Sequence, residues 1–432
     1  MIDFLILYEH KARELENCVY LKYNLEAKGY KVVIASMLSF NKMICKPKVI
    51  ITPHLYDSHQ AQFYTCSIWP KRKCKVISMQ YEQVLNKIGR ESGIHRPKGI
   101  AKNAYHVAWG DNEKQEYLSN GILPSHVLSI GSISLDFDSK YARISLMTRS
   151  ICEKEFGIAE TQELCVFFSS FAFCGRSTAE LERANVSGTA FKLHDIMEKS
   201  KPVILDWFKQ ALLKNDNLVI VYRRHPAESA GDESIENLKK EFPRRFLTID
   251  DYSIRHWINV SDYCCTWFST SSIDAYFAGK PCSILRPFAL DTDLEVETMY
   301  GVNKITDKEE FCNMFTNQNL PDHVAEENIS KFFYNKRDEL VIQKYCLAFE
   351  KVLNDNSKDN LFVSHHNSIR AFIVTCLLAI LCTICKHIRI SRYFKHFSKL
   401  LGGTLAYYEK EVYGESESIL KLLNNIKNVR YV

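Results

Sequence analysis

"SDYCCTWFSTSSIDAYFAGKP", residues 261–281, sets three kinds of residue in a fixed order. A short apolar run reads as a strand, a cluster of hydroxyls as a turn, and the stretch from about Ser271 as a helix. "PCSIL", 281–285, then supplies the next strand. Strand, turn, helix and strand again is the βα grammar of a parallel sheet. Ser269, Thr270, Ser271 and Ser272 bring side-chain hydroxyls to a helix N-terminus whose first N–H groups are open, which makes a ready anion site. A plain N-cap needs only one such hydroxyl. Asp274 falls in the first turn of the same helix.

The same grammar extends in both directions. "LCVFFSS", "NLVIVY", "RFLTI" and "DYCCTW" are short strands, with helices expected at 199–213, 232–241, 253–259 and 271–278. Upstream, "IDFLILY" is a strand and "ARELENCVYLKYNLEAKG" an amphipathic helix ending on Gly29, followed by the strands "KVVIAS", "KVIIT", "KVISMQ", "HVAWG" and "HVLSIG". The chain therefore reads as α/β: two tandem Rossmann-like, doubly wound domains facing one cleft, residues 1–150 and 151–355, with a hinge near 145–160. A helical, apolar-then-basic tail occupies 356–432. Ligands of such sheets bind beyond the carboxyl ends of the strands. No GxGxxG follows the first strand and no P-loop occurs, which argues against a dinucleotide redox enzyme and a P-loop NTPase.

Composition sets further bounds. The chain has 432 residues, 46% hydrophobic and 25% charged, an ordinary globular balance. The net charge of +5 comes from 56 bases interleaved with 51 acids, so no nucleic-acid partner is expected. Fifteen cysteines are spaced irregularly, and the CxxC at Cys382–Cys385 sits in an apolar stretch without a second ligand pair. They read as buried reduced thiols of a cytosolic protein. "MIDFLILYEH" has an acid at position 3 and no basic n-region, so it is a first strand and not a signal peptide.

"VIVYRRHPAES", 219–229, ends a strand on two arginines, a histidine and a proline. Arginine forks and an imidazole N–H suit a phosphate. Alternation along a strand keeps Arg223, Arg224 and His225 from all facing the same way, and Pro226 fixes the turn. Two anion-suited strand ends in one sheet fit a nucleotide phosphate between them. The second domain offers no base outside this donor site, so a base for an acceptor hydroxyl is expected from the first domain. Glu82, after "KVISMQ", ranks first, with Tyr81 expected to shield it and raise its pKa. Asp111, after "HVAWG", and Glu9 with His10, after the first strand, hold comparable positions.

These motifs carry a resemblance. His-Pro at one strand end and a Ser/Thr turn with a downstream acid at another resemble bacterial GT-B enzymes that use CMP- or CDP-activated donors, among them sialyl-, polysialyl- and Kdo-transferases and teichoic-acid glycerophosphotransferases. "YEHKARELENCVYLKYNLEAKGYKVVIAS", "AWGDNEKQEYL", "IGSISLDFD" and "STSSIDAYFAGKP" resemble, in order, segments of the bacterial surface carbohydrate biosynthesis protein family. The likeness spans roughly residues 2–290. It departs where "GSISLD" replaces the family's Asn-Pro-Arg before Asp136, and where "FFSSFAFCG" replaces an Asn-rich strand end by Ser169 and Ser170.

The resemblance implies a GT-B glycosyltransferase moving a sugar from a cytidine nucleotide-sugar donor to a glycan or lipid-linked acceptor of a surface polysaccharide. The best candidate sugar is a CMP-activated ulosonic acid such as Kdo. His225, Pro226 and Ser269–Ser272 would hold the donor, with Ser169 and Ser170 as further contacts. No cofactor or metal is implied, and "DFD" at 136–138 is not taken as a metal site. A CDP-polyol phosphotransferase and a nucleotide-sugar epimerase or hydrolase are the alternatives.

The tail lies outside the resemblance. "AFIVTCLLAILCTIC", 371–385, has no charged residue. As a helix it would run about 22 Å, short of the roughly 30 Å hydrocarbon core. Lys386, Arg389, Arg392, Lys395 and Lys399 follow, interleaved with Tyr393, Phe394 and Phe397. This pattern suits a peripheral seat on the inner face of the cytoplasmic membrane.

Overall fold

A strand buried on both faces needs no polar alternation, and "IDFLILY" has none between Phe4 and Tyr8. In the computed structural model it is β1, Ile2–Tyr8, an inner strand of a parallel sheet, next to the edge strand. The structure describes residues 2–38, 45–64, 73–93, 95–138, 146–183, 189–225, 228, 231–316, 326–355, 362–363, 373, 376–377, 380–381, 383–385, 387–388 and 409–427. The first sheet adds β2 (Val32–Ser36), β3 (Pro47–Thr52), β4 (Lys73–Ser78), β5 (Tyr105–Ala108) and β6 (Val127–Ser129) in the order β2-β1-β3-β4-β5-β6. The second has β7 (Glu163–Phe168), β8 (Leu218–Arg223), β9 (Phe246–Thr248), β10 (Tyr263–Thr266) and β11 (Cys282–Ile284) in the order β11-β10-β7-β8-β9. All of these pairings are parallel, as the βα reading expects.

Alternate residues of each central strand feed opposite cores. Phe4, Ile6 and Tyr8 pack with Leu15, Cys18, Val19 and Leu25 of α1 (Lys11–Ala27), while Leu5 and Leu7 join Ile50 and Val76 on the other face. In β7, Cys165 and Phe167 face one core and Leu164, Val166 and Phe168 the other. The described cysteines are free thiols, and most are buried.

The chain returns to the first sheet after the second. Val341, Ile342, Tyr345, Cys346, Phe349 and Val352, from the start and length of the helix Ile342–Asn354, complete the core around Phe4 and Tyr8. Asp136 fixes this return. Its carboxylate accepts the N–H groups of Val341 and Ile342 at 2.8 and 2.9 Å, so it caps the incoming helix. Burial pushes that carboxyl up to about 7, against the two backbone bonds. Beside it Gly131 (φ +104) lets Asn335 approach, and a Cβ there would lie 2.6 Å from Asn335 Oδ1. The two-residue strand β12, Phe362–Val363, then pairs antiparallel with β4, and the helix Glu415–Lys427 packs Ile419, Leu422, Leu423 and Ile426 onto the same core.

Two polar clasps join the sheets' domains. Glu16 on α1 meets Arg255 at 3.1 Å and His256 at 3.2 Å. His256 Nδ1 also accepts the Met147 N–H at 2.9 Å, beside the linker between the sheets. Elsewhere Arg90 pairs with Glu297 at 2.7 Å, and Asn86 donates to the Leu294 carbonyl at 3.2 Å. Asp136→Ala is expected to strip two buried N–H groups of their acceptor and cost roughly 2–4 kcal/mol. The urea midpoint reads this loss, and an unchanged midpoint would show that the helix does not depend on its cap.

Candidate functional site: the cleft between the sheets

Chains leaving the carboxyl ends of β1, β3 and β4 must turn at once, and each turn carries polar residues. Past β1 come Glu9, His10 and, in the first turn of α1, Arg13. Past β3 come His54 and Tyr56, and past β4 come Gln80 and Glu82. Arg13 binds Glu82 through Nη1 at 2.5 Å and the fully buried Glu14 through Nη2 at 2.7 Å. His54 lies between the Tyr64 hydroxyl at 3.0 Å and Glu9 at 3.5 Å. His95 enters from the next loop, with Nδ1 2.7 Å from the Tyr56 hydroxyl and Nε2 3.9 Å from Glu82.

Glu82 is thus in the cleft, but its carboxylate is paired with Arg13 and is a weaker base than the sequence suggests. Burial pushes its carboxyl up, and Arg13, His95 and His54 more than reverse this, leaving it below the usual carboxylate range. Tyr81 does not shield it, because that ring packs against the first-domain core near Cys18. His10 is engaged as well. Its Nδ1 lies 3.5 Å from Glu411 of the returning tail, an interaction that raises its pKa against burial. Asp111 begins the helix Asp111–Ser119 and accepts the Tyr334 hydroxyl at 2.6 Å. That bond holds it to the segment at 334, apart from the Glu82 group.

The second sheet supplies the opposite wall. β10 and β8 flank β7, so the turns after all three strands are neighbours. His225 lies within electrostatic reach of Glu82 and Arg13 of the first domain. Burial holds its imidazole below the usual range; Glu228 and Glu82 pull it up, while Arg13 and Arg176 push it down. Its backbone is fixed by Glu228, whose own N–H donates to the His225 carbonyl at 2.9 Å. Glu228 is held in turn by Lys201 at 2.8 Å and by the hydroxyls of Tyr222 at 2.8 Å and Ser169 at 2.6 Å.

The arginines before it are spent differently from expectation. Arg223 donates to the carbonyls of Ile249, Asp251 and Tyr252, and burial lowers its guanidinium to about 10. Arg224 pairs with Asp250. Both forks therefore tie β8 to the loop after β9 and are not offered to a phosphate. Pro226 lies outside the described residues. Ser169 is locked in the buried Tyr222–Glu228 network, whereas Ser170 Oγ is buried with no hydrogen-bond partner.

In the turn after β10, Ser269 Oγ and Ser271 Oγ lie 2.8 Å apart, and Ser272 Oγ donates to the Ser269 carbonyl at 3.2 Å. Thr270 is exposed and its side chain does not cap the helix Ser271–Phe277. Asp274 turns away from this group. It lies toward Asp138, and burial raises its carboxyl to about 6 despite Arg255 nearby. Asp136 is spent on its cap, so the DFD triplet is structural at its first member. Arg13, His54, Tyr56 and His95 were not singled out from sequence. "TPHLYD" and "GIHRP", polar stretches beside strands, were the available signal.

The molecule has the GT-B architecture. A structure described as a putative UDP-N-acetylglucosamine 2-epimerase from Listeria monocytogenes matches at TM-score 0.51 and 12% identity, over 83% of this chain and 98% of that one. Two structures of the wall teichoic acid polymerase TagF match at 10% identity. One, a histidine-to-alanine variant, gives TM-score 0.54 over 82% of this chain and 90% of that one. The other, soaked with CDPG, gives 0.53 over 81% and 88%. No protein-family model matches the chain, and no curated protein does.

If the two walls meet at Glu82, its charge supports both facing imidazoles. Glu82→Gln is expected to lower the pKa of His95 and of His225, since Glu82 raises each. Histidine NMR titration measures both, and a His225 titration indifferent to the substitution would show that the walls do not meet there.

Proposed function

We propose that this chain is a glycosyltransferase that takes a sugar from a nucleotide-activated donor seated on the second sheet and delivers it to a hydroxyl presented by the first. The observation that carries this reading is that the His225 turn after β8 and the hydroxyl turn after β10 flank one strand, β7, at the carboxyl edge of the second sheet. An imidazole and the 269–272 hydroxyls at strand ends on either side of β7 suit a phosphate leaving group. Arg176, after β7 and among the charges that act on His225, takes the cationic part that Arg223 and Arg224 do not. The donor is a cytidine nucleotide sugar, with a CMP-linked acidic sugar such as Kdo first and a CDP-linked polyol second, on the strength of the His-Pro and Ser/Thr turns. The acceptor is a surface glycan or its lipid-linked precursor. An epimerase sharing this frame would convert its nucleotide sugar with no glycan present, which separates it in an assay.

A thermal-shift panel of CMP, CDP, UDP and GDP tests the donor side, since binding stabilises by RT ln(1 + [L]/Kd). Cytidine nucleotides are expected to raise the melting temperature, and His225→Ala to weaken that binding about 10–100-fold through loss of a charge-assisted bond. A chain indifferent to all four nucleotides would sink the reading.

The tail supports a peripheral membrane seat for this enzyme. Ile373, Leu377, Ile380, Ile384 and Ile388 are between 44 and 62% exposed and recur at helical spacing. Leu381 and Cys385 pack inward on Leu38 and Val412. The five Lys and Arg residues between 386 and 399 follow in sequence and suit anionic lipid, at about 1 kcal/mol each. Among the described residues no helix is long and apolar enough to cross a membrane. The full chain is expected to sediment with phosphatidylglycerol vesicles at low salt and less with phosphatidylcholine, and Leu377→Asp with Ile384→Asp to abolish this. Equal sedimentation of the double variant would leave that face without a lipid role.

A further inference from the structure

Gln80, just past β4, holds a left-handed backbone with φ 47. For a residue with a Cβ that conformation costs energy, and such positions gather at working sites. It sets the Gln80 side chain against Tyr56, whose hydroxyl donates to Gln80 Oε1 at 2.9 Å. A phenol has one proton to give. With that proton spent on Gln80, the Tyr56 oxygen is left to accept, and the ring nitrogen 2.7 Å away is His95 Nδ1. With the Gln80 amide oxygen toward Tyr56, this chain of bonds puts the His95 proton on Nδ1 and a lone pair on Nε2. That nitrogen faces the Glu82 carboxylate across 3.9 Å, beyond a hydrogen bond and within reach of its charge.

The other groups around this space are committed. Both nitrogens of His54 have neighbours, Tyr64 and Glu9. His10 is held between Glu411 and Glu9, Glu82 is tied to Arg13, and His225 stands on the donor wall. Resting on the transferase reading, we propose that His95 is the catalytic base, its Nε2 taking the proton of the acceptor hydroxyl.

As the acceptor oxygen bonds to the electrophilic centre of the donor, its O–H bond breaks and the proton passes to Nε2. The bond from that centre to the nucleotide's phosphate oxygen breaks, and its electron pair leaves with the phosphate. His95 is then an imidazolium beside the Glu82 carboxylate, which stabilises the charge as it forms. The proton is lost to water once product departs. Burial keeps the resting imidazole below its usual range against the pull of Glu82, so it is neutral and able to accept at neutral pH. Glu82, Tyr56 and His54 are the titratable groups that share this corner, with Arg13 reaching it through Glu82.

Two measurements on the full chain test the assignment. Histidine nitrogen NMR at neutral pH, with the signal assigned by its loss in His95→Gln, is expected to show a protonated Nδ1 and a bare Nε2. A protonated Nε2 overturns the proposal whatever the substrate. Nucleotide release from CMP- and CDP-linked donors with a glycan acceptor is expected to fall about 10²–10⁴-fold in His95→Gln, with the nucleotide thermal shift unchanged and the low-pH limb of the rate profile lost. Wild-type turnover in that variant overturns the proposal, and so does a parallel loss of the thermal shift, which marks a structural role. A wild-type chain that shifts with no nucleotide fails the transferase reading itself and takes the base with it.

Discussion

The bonds that the Asp136 carboxylate accepts from the N–H groups of Val341 and Ile342 hold the returning helix to the first domain. A helix that crosses from one domain to cover another must have its first N–H groups satisfied where it lands, because water does not reach them there. Asp136 meets that need from the first domain, and the helix completes the core around Phe4, Tyr8 and Tyr345. The position of β1, and so of Glu9, His10 and Arg13 at its end, depends on that core.

The fold was legible because its signal is local. Each strand is a short apolar run closed by a turn, and each can be read without its neighbours. The turn after β10 and the His225 corner after β8 were legible for the same reason. The fate of Arg223 and Arg224 was not, since it rests on carbonyls of the loop at 249–252, which no pattern around "YRRHP" reveals. The first-domain wall was harder still. Arg13, His54 and His95 acquire meaning only when three strand ends and a loop converge on Glu82. Tyr81 illustrates a simpler miss: adjacent residues leaving a strand point to opposite sides, so the neighbour of a cleft residue is more often in the core. The helix at 342–354 is amphipathic, and such a face fits either sheet equally well from sequence.

The cleft also shows how charge is distributed between two rigid walls. The first wall holds an ion pair, the weakly basic imidazoles of His54 and His95, and His10, whose basicity Glu411 raises. The second holds one imidazole whose backbone is set by a buried network of Glu228, Lys201, Tyr222 and Ser169. That network keeps the His225 turn in place without placing a permanent charge at its tip. Electrostatic preorganisation of this kind works because the groups need not move when charge develops between them.

The returning helix has a consequence for how the chain is made. Asp136 and Val341 are 205 residues apart in sequence. At about 5–20 residues per second, a ribosome takes roughly 10–40 s to span such a distance. Through that interval the first domain has its strands but not the helix that closes one face of its sheet, and Phe4, Ile6 and Tyr8 lack part of their cover. The second domain, whose cores draw on residues between Met147 and Phe315, can close first. The half of the protein synthesised first is thus the half finished last, and its open face is where a chaperone would be needed.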